Sequence, residues 1–182
     1  MATTVLIGGA RSGKSALALE LAAAFDGPVA LIATGEARDG EMAARIEQHR
    51  RKRPSHWSTI EEPIEIAKAL ESVADGAFVI LDCLTLWIAN LMDRGFSEKE
   101  INDRARDALE AAVLRAPPVV VVTNEVGSGI VPDNPTARAY RDLLGSINSI
   151  FANDARRVLF VAAGRVMSMK RPEEVFDDVF DR

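Results

Sequence analysis

Two hydrophobic patterns alternate along this chain. Runs at residues 4–7, 29–33, 78–81, 119–122 and 158–162 are apolar at nearly every position and rich in β-branched side chains. Strands buried on both faces have that pattern, and they occur in parallel sheets covered by helices. The stretches 14–25, 40–53, 63–74, 97–114 and 136–154 are longer and mix apolar with charged positions at helical spacing, so they predict helices. Ser97 and Glu100 have the Ser-x-x-Glu spacing of a capping box, which marks a helix start. Pro117-Pro118 ends that helix before the next strand. Beyond Gly164 the pattern weakens: residues 166–169 are compatible with a short edge strand and 172–180 with a short final helix. No repeat, low-complexity tract or linker divides the sequence, so residues 1–182 are expected to form a single α/β domain with a mostly parallel sheet flanked by helices.

Parallel strands joined by helices put the loops that follow them on one edge of the sheet, where ligands bind in open α/β folds. The first such loop, Gly8-Gly9-Ala10-Arg11-Ser12-Gly13-Lys14-Ser15, matches Gly-x-x-x-x-Gly-Lys-Ser between a strand and a helix. Its glycines let successive N–H groups converge on phosphate oxygens, and the following helix adds the positive end of its dipole. Lys14 is expected to reach the β and γ phosphates, and the Ser15 hydroxyl to ligate Mg²⁺. Asp82 ends the third predicted strand, where a carboxylate can hold the same Mg²⁺ or its water shell. Asp is also a favoured N-cap, here for a stretch starting near Leu84. The phosphate loop's need for a carboxylate partner favours the first reading. Thr34-Gly35-Glu36 follows the second strand and either faces the nucleotide or simply ends the strand. Glu125 lies past the fourth, before Gly127-Ser128-Gly129. It either assists substrate deprotonation or positions Mg²⁺, or it is a surface residue beside a glycine turn, and the sequence holds these readings equal.

Composition narrows the setting. Apolar residues at 48% and charged residues at 27% make a globular balance, and no apolar run is long enough for a membrane span. Met1-Ala2-Thr3-Thr4 lacks the basic region of a secretory signal. One cysteine, Cys83, leaves no internal disulfide and predicts a reducing, cytoplasmic setting. A net charge of −5 argues against a nucleic-acid surface. His49-Arg50-Arg51-Lys52-Arg53 breaks that trend, either as a solvated helix end or as a working cluster. A neutral imidazole can attack the α-phosphate of a nucleoside triphosphate and become a nucleotidyl-histidine. Neighbouring cations disfavour the imidazolium and stabilise a departing pyrophosphate, so one cluster can serve both needs. His56 has no such argument and reads as structural. Trp57 and Trp87 read as core residues before they read as a stacking platform.

The phosphate loop, Ile32-Ala33-Thr34, Asp39-Gly40-Glu41-Met42-Ala43-Ala44-Arg45-Ile46-Glu47-Gln48-His49, Arg53-Pro54-Ser55-His56-Trp57 and Val122-Thr123-Asn124-Glu125-Val126-Gly127-Ser128-Gly129-Ile130-Val131-Pro132 occur in that order. Together they resemble the bifunctional adenosylcobinamide kinase and adenosylcobinamide-phosphate guanylyltransferase family of cobalamin biosynthesis, over about residues 4–165. The resemblance implies a RecA-like P-loop NTPase fold, assembled as a homotrimer. It implies phosphorylation of the aminopropanol arm of adenosylcobinamide by ATP or GTP. Transfer of GMP from GTP to that phosphate, through a guanylyl-histidine, then gives adenosylcobinamide-GDP. The guanylylated histidine matches His49, and Gln48 stands where some relatives carry a second histidine. The implied nucleotide contacts match Gly8 to Ser15, Thr34, Gly35, Glu36, Arg50, Arg51, Lys52, Arg53, Glu61 and Asp82. An ordinary P-loop small-molecule kinase, with the arginines as a phosphate clamp and no task for His49, is the alternative. A nucleotide-operated switch for a protein partner is a weaker third.

Overall fold

Successive side chains along the central strands enter two different cores, which is why those strands are apolar throughout. The computed structural model describes residues 3–51 and 53–179; Met1, Ala2, Lys52 and Phe180, used in the sequence reading, lie outside them. Seven strands, β1 (Thr4–Gly8), β2 (Val29–Ala33), β3 (Ser58–Glu61), β4 (Phe78–Asp82), β5 (Val119–Asn124), β6 (Arg157–Ala162) and β7 (Arg165–Ser168), form one sheet in the order β3-β2-β4-β5-β1-β6-β7. Only the β6–β7 pair is antiparallel; every other pair is parallel.

Val5, Ala30, Ile32, Val79, Leu81, Val119 and Val121 point to one face and pack under α3 (Ile66–Ser72), α4 (Leu84–Asp93), α5 (Glu98–Val113) and α6 (Pro135–Asp154). Their neighbours Leu6, Val29, Leu31, Phe78, Ile80, Val120 and Val122 point to the other, against Ala18 and Ala22 of α1 (Lys14–Ala23). This is period-two alternation with both faces buried. Trp87 and Trp57, 0% and 9% exposed, belong to these two cores and offer no stacking platform.

The predicted strands and helices are present, with differences at their ends and two additions. The second helix, α2 (Gly40–Arg51), stops before Arg53, and α3 is shorter at both ends than residues 63–74. The capping box at Ser97 is formed, with the Glu100 N–H donating to Ser97 Oγ and the Ser97 N–H donating to Glu100 Oε2. The weak tail forms β7 and α7 (Pro172–Val179). The additions to the predicted list are β3, which pairs with β2, and α4, the helix near Leu84 that the N-cap reading of Asp82 allowed, whose N-cap residue is Cys83 rather than Asp82. No helix among the described residues is long and apolar enough to cross a membrane.

Candidate active site

The turn between β1 and α1 has a backbone that glycine makes possible. A Cβ on Gly8 would lie 2.1 Å from the Val161 carbonyl oxygen, so the close approach of β1 to β6 excludes any side chain there. Gly13 precedes the helix at φ 108°, in the region that L side chains rarely adopt. The Gly164 N–H, in the β6–β7 turn, donates to the Ser12 carbonyl at 2.9 Å and braces the loop from the side. Lys14 is 6% exposed, and its Nζ donates to Gly8 O at 2.9 Å, Gly9 O at 2.7 Å and Ser12 Oγ at 3.3 Å. Those three acceptors match the three protons of an ammonium, which accounts for a buried lysine. Burial holds its pKa below the usual lysine value, with Cys83 and Asp82 opposing and Arg45 adding to the effect.

Asp82, at the end of β4, is influenced by the Ser15 hydroxyl and by the charges of Lys14, Arg53 and His49. Its side chain is 16% exposed. Burial pushes its pKa up, against the pull of His49 first, then Arg53, Ser15 and Lys14. His49 Nδ1 is 4.0 Å from Asp82 Oδ2, within ion-pair reach but too long for a hydrogen bond. The sequence therefore folds so that the histidine of α2 faces the strand end beside the phosphate loop.

The basic run divides. Arg53 is partly buried beside Asp82, and burial lowers its pKa. Arg50 pairs with Glu61, at the end of β3, and Arg51 pairs with Glu47 at 3.0 Å on the solvent face. Thr34, Gly35 and Glu36 lie on the same sheet edge. Thr34 Oγ1 donates to Cys83 O at 2.7 Å and accepts from Cys83 N at 2.9 Å, so it locks the end of β2 to the segment after β4. Glu36 is engaged by Arg94 at 2.6 Å and Arg38 at 2.9 Å, which hold its carboxyl down at about 2. The Glu125 carboxylate folds back on its own loop, accepting from Gly127 N at 2.6 Å and Ser128 N at 3.2 Å, as the turn reading has it. His56 stacks edge-on against Trp57, with ring centroids 6.4 Å apart.

Four residues at this edge escaped the sequence reading. Arg45 stands one helical turn before His49 and acts on Lys14; that i, i+4 spacing was a usable signal. Asn90 and Arg94 gave none, because their side-chain partners lie far along the chain, and Arg38 showed only its neighbour Glu36, not Asn90 or Asp93. Asn90 is 3% exposed, and its Nδ2 donates to Thr34 O at 2.7 Å and Pro63 O at 3.2 Å. Arg38 donates to Asn90 Oδ1 at 2.8 Å.

Comparison with known proteins gives the fold and the family. The chain shares its fold with solved structures of very different sequence. A protein of Pyrococcus horikoshii matches with TM-score 0.57 at 10% identity, over 94% of this chain and 88% of its own. An ATPase of the type III secretion system of pathogenic bacteria matches with TM-score 0.55 at 12% identity, over 98% of this chain and 61% of its own. With its phosphate loop between β1 and α1 of a mostly parallel sheet, the fold is that of P-loop NTPases. Sequence relatives are nearer. The bifunctional adenosylcobalamin biosynthesis protein CobP of Pseudomonas aeruginosa is 42% identical over 91% of this chain and 96% of its own length. The bifunctional adenosylcobalamin biosynthesis proteins CobU of Escherichia coli and Salmonella typhimurium are 37% and 39% identical, each over 91% of this chain and 98% of their own. Residues 4–169 match the profile of one family, and on that extent of agreement the chain belongs to the cobinamide kinase / cobinamide phosphate guanyltransferase family of transferases.

Proposed function

We propose that this chain phosphorylates adenosylcobinamide with ATP or GTP and then transfers GMP from GTP to the product through a guanylyl-His49 intermediate. The observation that carries the reading is the approach of His49 to the phosphate loop, with Nδ1 4.0 Å from the Asp82 carboxylate, which Ser15 and Lys14 of that loop also influence. In the first reaction the hydroxyl of the aminopropanol arm attacks the γ-phosphorus and gives its proton to solvent, an O–P bond forms, the β,γ bridge breaks, and the nucleoside diphosphate leaves. In the second, the His49 imidazole attacks the α-phosphorus of GTP. A P–N bond forms as the α,β bridge breaks, and pyrophosphate departs. A phosphate oxygen of adenosylcobinamide phosphate then displaces the imidazole, giving adenosylcobinamide-GDP and free His49.

The loop N–H groups and Lys14 would bind the polyphosphate and balance charge on the departing oxygens. Arg53, beside Asp82, would act on the same phosphates from α2's side, and Arg50 and Glu61 would border the nucleotide at β3. Thr34, Gly35 and Glu36 would line its other side, with Glu36 acting through the two arginines it holds. The hydroxyl of Ser15 and the carboxylate of Asp82, which influence one another, are both hard oxygen donors, which fits Mg²⁺ held mainly by phosphate and water. When bound there, Mg²⁺ neutralises phosphate charge. The reading includes one nucleotide-binding domain over residues 1–182, supported by the single continuous sheet. It also includes a homotrimer and a cytoplasmic setting, the latter supported by the single cysteine.

The test is incubation with base-labelled GTP and Mg²⁺, followed by mass analysis. An acid-labile GMP adduct on the His49 peptide is expected, as phosphoramidates are acid-labile. His49→Asn is expected to lose it while still phosphorylating adenosylcobinamide from ATP. Labelling that survives the substitution would remove His49 from the covalent role. Release of nucleoside diphosphate alone, with no pyrophosphate, would leave only the kinase. Sedimentation of the purified protein reads the trimer directly.

A further inference from the structure

An acceptor has to meet the nucleotide at the phosphate loop, and neither of the two depressions described away from that loop suits it. The cavity beside Trp87 and Arg104 holds about 40 Å³, far less than a corrin macrocycle needs. The broader depression, lined by Glu98, Lys99, Asn102, Asp103 and Arg106, is a charged patch on the outside of α5. Because the reacting phosphates sit on the phosphate loop, the acceptor surface belongs to the sheet edge that carries that loop and Asp82.

β5 lies between β4 and β1, so the loop leaving it emerges between these two groups. Asp82 is opposite Val122 and Gly8 opposite Asn124, and the Glu125 N–H donates to Gly8 O at 3.1 Å. At the tip of this loop Ile130 is 97% exposed and Val131 58% exposed. The other large apolar side chains exposed among the described residues lie elsewhere. Leu21 and Leu114 sit late in α1 and just past α5, towards the edge where strands begin. The rest belong to β7, which runs back antiparallel to β6, and to the segment and helix after it.

The display is braced at both ends. Besides the Glu125 bonds to Gly127 and Ser128, Arg138 donates to Pro132 O at 2.9 Å and Asp133 O at 2.7 Å, and the Thr136 N–H donates to Asn134 Oδ1 at 2.8 Å. A braced apolar tip pays little ordering entropy when a ligand covers it.

We propose that Ile130 and Val131 are the apolar contact for the corrinoid macrocycle, holding its aminopropanol arm between the phosphate loop and His49. The inference rests on the function proposed above and names the acceptor contact of that site. Covering two exposed aliphatic side chains with a ligand gives an affinity gain of about one to two orders of magnitude.

The experiment is a steady-state comparison of the parent with the Ile130→Ser/Val131→Ser double variant, varying adenosylcobinamide at saturating nucleotide. The expected result is a KM for adenosylcobinamide raised roughly 10- to 100-fold, with nucleotide KM moved less than about twofold. Ile130→Leu/Val131→Ile is expected to recover most of the corrinoid KM, which a purely polar role for the loop would not allow. A corrinoid KM within about twofold of the parent overturns the assignment. So does a changed sedimentation state with that KM unmoved, which gives the loop to a contact between copies. If the parent neither phosphorylates adenosylcobinamide nor forms a GMP adduct, the functional reading fails first, and this assignment goes with it.

Discussion

Asn90 ties three segments of the nucleotide edge together, and replacing it separates polar bonding from packing. Leucine has nearly the same shape and fits a position 3% exposed, so Asn90→Leu keeps the packing and deletes the amide. Two carbonyls, Thr34 O at 2.7 Å and Pro63 O at 3.2 Å, lose their donor, and Arg38 loses its 2.8 Å acceptor. A buried polar group stranded in this way costs about 1–3 kcal/mol. The Thr34 bond is buried and short and is worth the upper part of that range, whereas the longer, partly solvated Pro63 bond is worth the lower. Arg38 keeps Glu36 and Asp93 and contributes least. The expected loss is therefore about 2–4 kcal/mol, a large share of the 5–15 kcal/mol typical of a domain. Asn90→Asp keeps the acceptor for Arg38 but sets a carboxylate against two carbonyl oxygens, so it is expected to be no better than leucine at neutral pH. Urea unfolding of parent and both variants measures the loss. Nucleotide titration is expected to show about tenfold weaker binding, because the Thr34 carbonyl is no longer fixed, and tenfold corresponds to ~1.4 kcal/mol. An Asn90→Leu protein within about 0.5 kcal/mol of the parent would mean that water or backbone adjustment satisfies these carbonyls, and the pinning argument would be wrong.

Gly8→Ala puts a methyl 2.1 Å from the Val161 oxygen, so β1 and β6 have to part; a loss of about 3 kcal/mol in thermal or urea unfolding and failure to bind nucleotide are expected, and a near-neutral result would refute the close approach. Glu36, held by Arg94 and Arg38 at about 2 against an ordinary 4.5, contributes stability that is present above pH 4.5 and lost as pH falls towards 2. Acid unfolding of Glu36→Gln should accordingly show a shallower loss over that interval, and an unchanged slope would count against the pairings. Tyr140 is the only tyrosine in the chain, and its hydroxyl donates to Thr85 O at 3.2 Å. Burial first, then Cys83, pushes its pKa above the ordinary 10.0, so its contribution to stability is complete below pH 10.0 and declines as pH rises beyond it. An ultraviolet titration should find the phenol still protonated past that pH in the folded protein and ionising normally in urea.

The parts of the fold legible in the sequence are those whose signal is local. Both-face burial wrote β1, β2, β4 and β5 as unbroken apolar runs, and the contiguous phosphate loop announced its own turn. β3 is four residues, Ser-Thr-Ile-Glu, mostly exposed, and it is a strand only because β2 offers an edge to pair with. α4 begins at Leu84 behind Cys83, which gives no side-chain cap, and it buries Leu84, Trp87, Ile88, Asn90 and Leu91, so the only start signal was Asp82 one residue too early, and the polar face that betrays a helix is missing. The same distinction runs through the site. Asp82 was visible from its strand end, whereas the bond between Arg94 and Glu36 joins residues 58 positions apart, and nothing in either neighbourhood indicates the other.

The basic run shows why reading charge as a block misleads. In sequence, residues 49–53 look like one cationic surface. In the fold, Arg50 is opposed by Glu61, Arg51 by Glu47, and Glu36 by Arg38 and Arg94, so these pairs contribute little net field near the phosphate loop. His49 and Arg53 turn the other way, to Asp82, which Lys14 also faces. The local balance is one buried carboxylate among a lysine, an arginine and an imidazole, a centre more positive than its surroundings inside a chain of net charge −5. Low dielectric makes that local excess count for more than the exposed pairs around it. A polyanion is thus drawn to one point on an otherwise acidic protein. The imidazole is at that point because α2 brings residue 49, and not residue 50 or 51, round to face the end of β4.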